Sequence, residues 1–374
     1  MKPNHLKQLE ALGQSIWLDY IKRDMLMNGE LQKFITEDGL RGMTSNPDIF
    51  EKAITGSHDY DSDIREMVKS GKSTEEIYNA LTVKDVQTAA DIFQSVYQKT
   101  NGKDGFVSLE VNPHLAHDSQ GTIASARYLW KALNRPNVFI KVPATKEGLI
   151  AIKQLTCEGI NVNITLLFGL DRYREVAEAY ISGLEERLKN NESIEHINSV
   201  ASFFLSRIDT LVDPIFEKII AKDNEKSSVA KELYGQTAIA SAKIAYQIFL
   251  EIFHSERFNK LSERGAAFQR LLWASTSTKN PKFCDIKYVD SIIAPDTVNT
   301  VPMETLEHYR DHGDPKLRIE SDLKKVLWQF EQLPNVNINI DDITQQLEDE
   351  GVLKFNKAYD KLIAALKQSA EKGK

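Results

Sequence analysis

Lys141 lies inside the run Asn137-Val138-Phe139-Ile140-Lys141-Val142-Pro143. The run is short, β-branched and apolar, and reads as a strand buried on both faces, as in a parallel sheet. An ammonium there loses its water, and desolvation lowers a lysine pKa. A lysine so lowered can be a free amine, which attacks carbonyls to form Schiff bases. Such chemistry also needs carboxylates that shuttle protons to and from the carbinolamine, and Glu110 and Asp19 are the candidates. An ordinary lysine, pKa about 10.4, is neutral at pH 7 in only roughly one molecule in 2,500, and lowering that pKa by ~3 units costs about 4 kcal/mol. A nearby carboxylate works the wrong way, because it favours the cation. For Lys141 to be a nucleophile, burial or a neighbouring cation must outweigh Glu110, or Glu110 must be partly protonated. Two other readings compete: a lysine whose stem packs while its head snorkels to solvent, and a structural Lys-Glu ion pair inside the sheet.

Positioning these groups requires strands, and strand-like runs alternate with longer helical patterns along the chain. Candidate strands are Ser15 to Asp19, Leu40 to Thr44, Gly105 to Val111, Val138 to Val142, Asn161 to Leu166, Ile197 to Phe204, Leu271 to Ser275 and Val289 to Ala294. The gaps between them are long enough for parallel crossovers. About eight β-α units imply a closed (β/α)8 TIM barrel; a doubly wound open sheet is the competitor. Several runs carry one polar residue near their C-terminal end, where barrel active sites sit: Asp19, Glu110, Lys141, and Asn163 with Thr165. Each would cost a few kcal/mol if buried unpaired, so they are expected to meet one another.

Val86, Ala89, Ala90, Phe93, Val96 and Tyr97 share one helical face. Ser73 with Glu76 makes a capping box, and Thr145 an N-cap. The chain is read as a single (β/α)8 domain over 1–374. A helical insertion covers about 209–268, with a polar turn at Asp223 to Ser228. A C-terminal helical extension covers about 340–370, with an apolar stripe of Leu353, Phe355, Ala358, Tyr359 and Leu362 that could pack across the barrel. The tail Ser369 to Lys374 is expected to fray.

The 374 residues are 41% hydrophobic and 27% charged, an ordinary globular balance. A net charge of -7 with mixed signs argues against nucleic acid as the main partner, while leaving room for a local cationic pocket. Cys157 and Cys284 form neither a disulfide framework nor a metal motif, and point to a reducing, cytoplasmic setting. No apolar run approaches the ~18 residues that would span a membrane, and the start at Met1 lacks a signal-peptide pattern. His114 and His117 could share a helical face but lack a third ligand nearby. Asp59 to Asp63 begins like a calcium loop, yet Ile64 stands where glycine is needed. No metal is expected.

Taken together, four motifs carry a specific likeness: Thr44-Ser45-Asn46-Pro47, Val107-Ser108-Leu109-Glu110-Val111, Ile140-Lys141-Val142-Pro143-Ala144-Thr145 and Gly159 to Phe168. Through nearly its whole length the chain resembles the transaldolases, class I Schiff-base enzymes of the pentose phosphate pathway. It is most similar to a longer bacterial branch with a Leu-Trp-Ala-Ser-Thr motif, here Leu272 to Thr276. The resemblance implies that Lys141 bonds the ketose carbonyl carbon. It implies that Asp19 takes the C4 hydroxyl proton as the C3–C4 bond breaks, and that Glu110 and Thr165 handle water during carbinolamine dehydration. Asn46, Asn163 and Ser202 would hold hydroxyls of the dihydroxyacetone unit. Arg207 would bind phosphate, as a fixed guanidinium suits it. Shorter members carry an arginine two residues after the seventh-strand serine; Ser277 stands there, so Ser275 and Lys279 are the candidates for a second phosphate contact. Phe204 replaces the tyrosine by which related fructose-6-phosphate aldolases activate water, which favours transfer of the three-carbon unit over its release.

The implied reaction moves dihydroxyacetone from sedoheptulose 7-phosphate or fructose 6-phosphate to an aldose phosphate, with no cofactor. Partners would be small sugar phosphates, with neither nucleic acid nor membrane, in a homodimer or a monomer. Three alternatives stay open: an aldolase that releases free dihydroxyacetone, a catalytically silent barrel that binds sugar phosphates, and a metal-dependent barrel hydrolase.

Overall fold

Eight parallel strands close on themselves in sequence order: β1 Gln14–Asp19, β2 Gly42–Thr44, β3 Phe106–Glu110, β4 Val138–Pro143, β5 Val162–Leu167, β6 Ser199–Phe204, β7 Gln269–Ala274 and β8 Thr297–Val301. The ring is completed by β8 lying parallel to β1, with Gln14 opposite Thr297 and Leu18 opposite Val301. These features come from a computed structural model that describes residues 4–372. Helices ring the barrel, which is the (β/α)8 architecture. Nearly every strand residue is buried, as the apolar runs require of strands covered on both faces.

The first seven strands lie where the apolar runs put them, with ends shifted by a residue or two. The eighth does not. Val289 to Ala294 is not a strand: Lys287–Asp290 is a short helix, and Ile292 to Ala294 is a buried connection. The strand follows at Thr297–Val301. Burial made the earlier run apolar without making it extended, and apolarity alone does not separate the two. Thr297, Asn299 and Thr300 break the apolar pattern of the true strand, yet all are buried and hydrogen-bonded or strand-paired.

Side chains on one face of a strand recur every second residue, so the lumen is filled in layers. Trp17, Phe106 and Phe139 form one layer, with the Phe106 and Phe139 rings stacked 4.3 Å apart and Trp17 6.1 Å from Phe139. Gly42 makes room for it, since a Cβ there would lie 2.5 Å from the indole ring. Below, Arg270 meets Asp104 at 3.1 Å, and Asp104 also accepts from the Ser15 hydroxyl and the Trp17 indole N–H. Two residues beyond Trp17 and Phe139, Asp19 and Lys141 face the opposite, C-terminal mouth.

Between β6 and β7 lie helices Ser206–Ile220, Glu225–Leu233, Thr237–Phe253 and Glu256–Ser262. The polar stretch expected as a turn is helical from Glu225, because the Asn224 side chain accepts the Lys226 N–H and caps the new helix. Val212, Phe216 and Leu233 pack with Leu333, Val336 and Ile338 as a small apolar cluster of their own. Thr145 and Ser73 cap their helices as the sequence indicates, the latter in a capping box with Glu76.

The C-terminal helix, Ile340–Lys372, runs past Ser369, where fraying was expected; residues 373–374 lie outside the described part, as do Met1 to Pro3. Its buried stripe is Leu347, Val352, Phe355, Tyr359, Leu362 and Leu366. Leu353 is not part of it and is 58% exposed, because it falls about a third of a turn off that face. Lys361 bonds the buried Glu51 at 2.8 Å and ties the helix to Pro47–Thr55 beside β2.

Candidate active site

The C-terminal ends of the strands enclose a cavity of about 380 Å³. Its walls include Asp19, Thr44, Asn46, Lys141, Thr165, Ser202, Phe204, Arg207, Ser275, Lys279 and Thr300. A larger cleft of about 510 Å³ opens at the other end of the barrel, beneath Trp17, Phe106 and Phe139. Those rings are almost inaccessible, and its cations are already paired, Lys103 with Asp296 and Arg270 with Asp104. The smaller cavity gathers Asp19, Lys141, Arg207 and Lys279 at the C-terminal ends of the strands, and chemistry belongs there.

Parallel pairing sets the central trio side by side: Glu110 of β3 is opposite Lys141 of β4, which is opposite Asn163 of β5. Lys141 Nζ donates to the Ser45 carbonyl at 3.0 Å and lies 3.4 Å from Glu110 Oε2. Both side chains are about 95% buried. Burial is the largest influence on Glu110 and pushes its carboxyl up to about 7, against the opposing pull of Lys141. Near neutrality Glu110 is thus partly protonated, which reduces the negative charge set beside Lys141. Burial likewise raises Asp19, while Lys141, the Thr44 hydroxyl and Arg207 draw it down. Thr44 Oγ1 donates to Asp19 at 2.7 Å and meets Thr300 Oγ1 at 2.7 Å, which fixes the carboxylate from the side. Glu110 Oε2 and Thr165 Oγ1 are buried with no hydrogen-bond partner among the described residues.

The amides are more committed than the sequence suggests. Asn46 Oδ1 accepts the Ile49 N–H at the start of helix Pro47–Thr55, so its Nδ2 is the group left for the cavity. Asn163 donates to Ser108 Oγ at 3.0 Å and accepts from Ser202 Oγ at 2.6 Å. It is fully buried behind the cavity wall, where Ser202 stands in front of it. Two residues beside the cavity hold left-handed backbone conformations: Leu166 at φ 55° just after Thr165, and Ser275 at φ 53° just after β7. Strain of order 1–3 kcal/mol at such positions is typical of functional sites.

At the cavity's outer end Arg207 is half-buried with its guanidinium 5.4 Å from the Phe204 ring, and among the described residues it has no acidic partner within ion-pair distance. Burial lowers its pKa and Asp19 and Asp48 raise it, but a guanidinium stays charged. Among the described residues Lys279 bonds only the Ser277 hydroxyl, at 2.6 Å. Desolvation of Lys279 and the neighbouring cations Lys354 and Arg207 lower its pKa below the usual lysine range. The expected residues therefore share one mouth, with Glu110 and Asn163 one layer behind the wall.

Sequence reading missed Thr44 and Thr300 as supports of Asp19, the Ser45 carbonyl as the acceptor for Lys141, and Lys354 with Phe355 from the C-terminal helix. Thr300 was hidden by the misplaced eighth strand. His114 and His117 do not converge: His114 meets Asp360 at 2.7 Å and His117 meets Glu147 at 3.3 Å. The calcium-like stretch runs into helix Asp61–Lys69.

Residues 16–366 match the family profile described as Transaldolase/Fructose-6-phosphate aldolase. A transaldolase of Trichodesmium erythraeum is 47% identical over 376 residues, spanning 100% of this chain and 99% of that protein. The chain belongs to the transaldolase/fructose-6-phosphate aldolase family. Other relatives are a transaldolase 2 of Nostoc punctiforme, 43% identical over 98% of this chain and 97% of its own, and a transaldolase of Saccharopolyspora erythraea, 42% identical over 99% of both. In this transaldolase-family chain no helix among the described residues is long and apolar enough to cross a membrane.

Proposed function

We propose that Lys141 is the amine through which this chain carries out the transaldolase reaction. The observation that bears most weight is the buried Lys141 Nζ 3.4 Å from the equally buried Glu110 carboxyl, at a cavity whose far end carries Arg207. Nζ adds to the ketose C2 carbonyl, and loss of water gives an imine. Glu110, partly protonated near pH 7, and Thr165 supply and receive the protons of that dehydration. Asp19 takes the C4 hydroxyl proton, the C3–C4 bond breaks, and its electron pair flows into the imine to leave an enamine. The released aldose phosphate departs. A second aldose phosphate accepts the C3 electron pair, Asp19 returns the proton, and water frees the product ketose. The Asn46 amide and Ser202, braced by Asn163, hold the hydroxyls of the three-carbon unit, and Arg207 holds the phosphate.

Phe204 lines the cavity and offers no hydroxyl to activate water against the enamine, so transfer outpaces release of free dihydroxyacetone. We also propose that the barrel, its β6–β7 helices and the C-terminal helix act as one domain. The test of the imine is borohydride reduction in the presence of fructose 6-phosphate, followed by peptide mass spectrometry. A three-carbon or six-carbon adduct on Lys141 is expected. Active enzyme that yields no adduct on that residue would remove the imine from the mechanism.

A further inference from the structure

We propose that Lys354 of the C-terminal helix, with Lys279, completes the phosphate pocket begun by Arg207, so that this helix sets the preference for phosphorylated over unphosphorylated sugars. The inference rests on the reading of the cavity as a sugar-phosphate site and names residues for its anionic end. Lys354 and Phe355 are the helix residues that reach the cavity; Phe355 is buried, and Lys354 points from the same turn with its head exposed. Among the described residues Lys354 makes no ion pair. Glu350, one turn earlier, is engaged by the Gln346 amide at 2.7 Å instead. Lys52, the other cation on the wall, is neutralised by Asp48 at 2.7 Å. Three cations therefore converge with no acidic partner within ion-pair distance among the described residues: Arg207 from the end of β6, with Asp19, Asp48 and Glu350 farther off, Lys279 from the segment after β7, and Lys354 from the far end of the chain. Glu304 also lies near Lys279, but not within ion-pair distance of it. Like charges held together cost free energy, and a dianion placed among them removes that cost.

The seating of the helix supports the same conclusion. Gly351 lies against β5, where a Cβ would come within 2.8 Å of Leu166 Cδ2, so the helix approaches the strand end next to Thr165 closely. Lys361 locks it to Glu51 two turns beyond. The turn that carries Lys354 lies between these two contacts.

The test compares Lys354→Gln, Lys279→Gln and Lys354→Arg with Lys357→Gln, an exposed control on the same helix. Acceptors are glyceraldehyde 3-phosphate and unphosphorylated glyceraldehyde. Inhibition and calorimetric binding of inorganic phosphate are read in parallel. Lys354→Gln should raise KM for the phosphorylated acceptor and weaken phosphate binding by about three- to tenfold, as for loss of one exposed charge-assisted contact. It should leave kcat and the kinetics with glyceraldehyde near wild type. Lys354→Arg should restore most of the loss, and Lys357→Gln should change nothing. Unchanged phosphate binding in Lys354→Gln, or an equal loss with both acceptors, would overturn the assignment. Phosphate binding does not require turnover. If no sugar is transferred at all, the proposed function fails, yet weaker phosphate binding in Lys354→Gln would still uphold Lys354.

Discussion

Lys141 Nζ and Glu110 Oε2 are 3.4 Å apart, on neighbouring strands whose register places the two residues opposite one another. Buried so deeply, the pair cannot comfortably hold both charges, and the carboxyl yields by taking a proton near neutrality. The same arrangement therefore holds Glu110 as a carboxylate above about pH 7 and as a carboxylic acid below it.

Glu110 gives the chain a pH-dependent stability. Its carboxyl rises from 4.5 to about 7 on folding, chiefly through burial. The folded state keeps a proton that the unfolded chain gives up in that interval, so the stability it contributes is full below pH 4.5 and is lost as pH rises through about 7. Denaturant unfolding at about pH 5 and pH 8 should show the wild type losing a few kcal/mol that Glu110→Gln does not lose, at ~1.4 kcal/mol per pKa unit. Parallel pH dependence in the two proteins would contradict the burial-driven rise.

Lys141→Met should abolish borohydride trapping and lower kcat by on the order of 10⁴-fold or more, because no other primary amine lies among the buried groups of the cavity. A coupled assay for aldose phosphate release measures this directly. Retained transfer would exclude the lysine as nucleophile.

Arg207→Ala should raise KM for fructose 6-phosphate by on the order of 10- to 100-fold, with a smaller change in kcat. Arg207→Lys should recover part of it, since an ammonium keeps the charge but not the two-pronged fit. A variant with wild-type KM would place the phosphate elsewhere.

Phe204→Tyr would set a phenolic hydroxyl at the wall of the cavity, in a largely buried environment shared with Arg207 and Phe168. Free dihydroxyacetone formed from fructose 6-phosphate without any acceptor should increase several-fold or more (roughly 1–2 kcal/mol of barrier). No rise in the free ketone would show that the ring at 204 does not control the fate of the enamine.

Gly42→Ala should destabilise the barrel by about 1–3 kcal/mol, the usual cost of overpacking. The added methyl would meet three atoms of the rigid Trp17 ring at 2.5 to 2.8 Å, in the layer directly beneath Asp19 and Lys141. The thermal midpoint should fall, and activity measured well below it should fall as well if the indole shifts toward the site. Unchanged stability would mean the layer relaxes freely.

Local sequence was enough to indicate the barrel and the polar residues gathered at its mouth. Apolar runs ending in Asp19, Glu110, Lys141 and Thr165 betray strands buried on both faces whose polar ends must find each other, because an unpaired polar group in such a place is too costly. What the linear pattern could not carry was anything decided by contact between distant segments. The eighth strand was misplaced because a buried connection and a buried strand are equally apolar, and only pairing with β1 and β7 distinguishes Thr297–Val301. The protonation of Glu110 depends on how completely neighbouring strands exclude water from it. The arrival of Lys354 at the mouth depends on where a helix from the far end of the chain comes to rest. Spacing along the chain records which groups are present; their desolvation, pairing and convergence exist only once the barrel has closed.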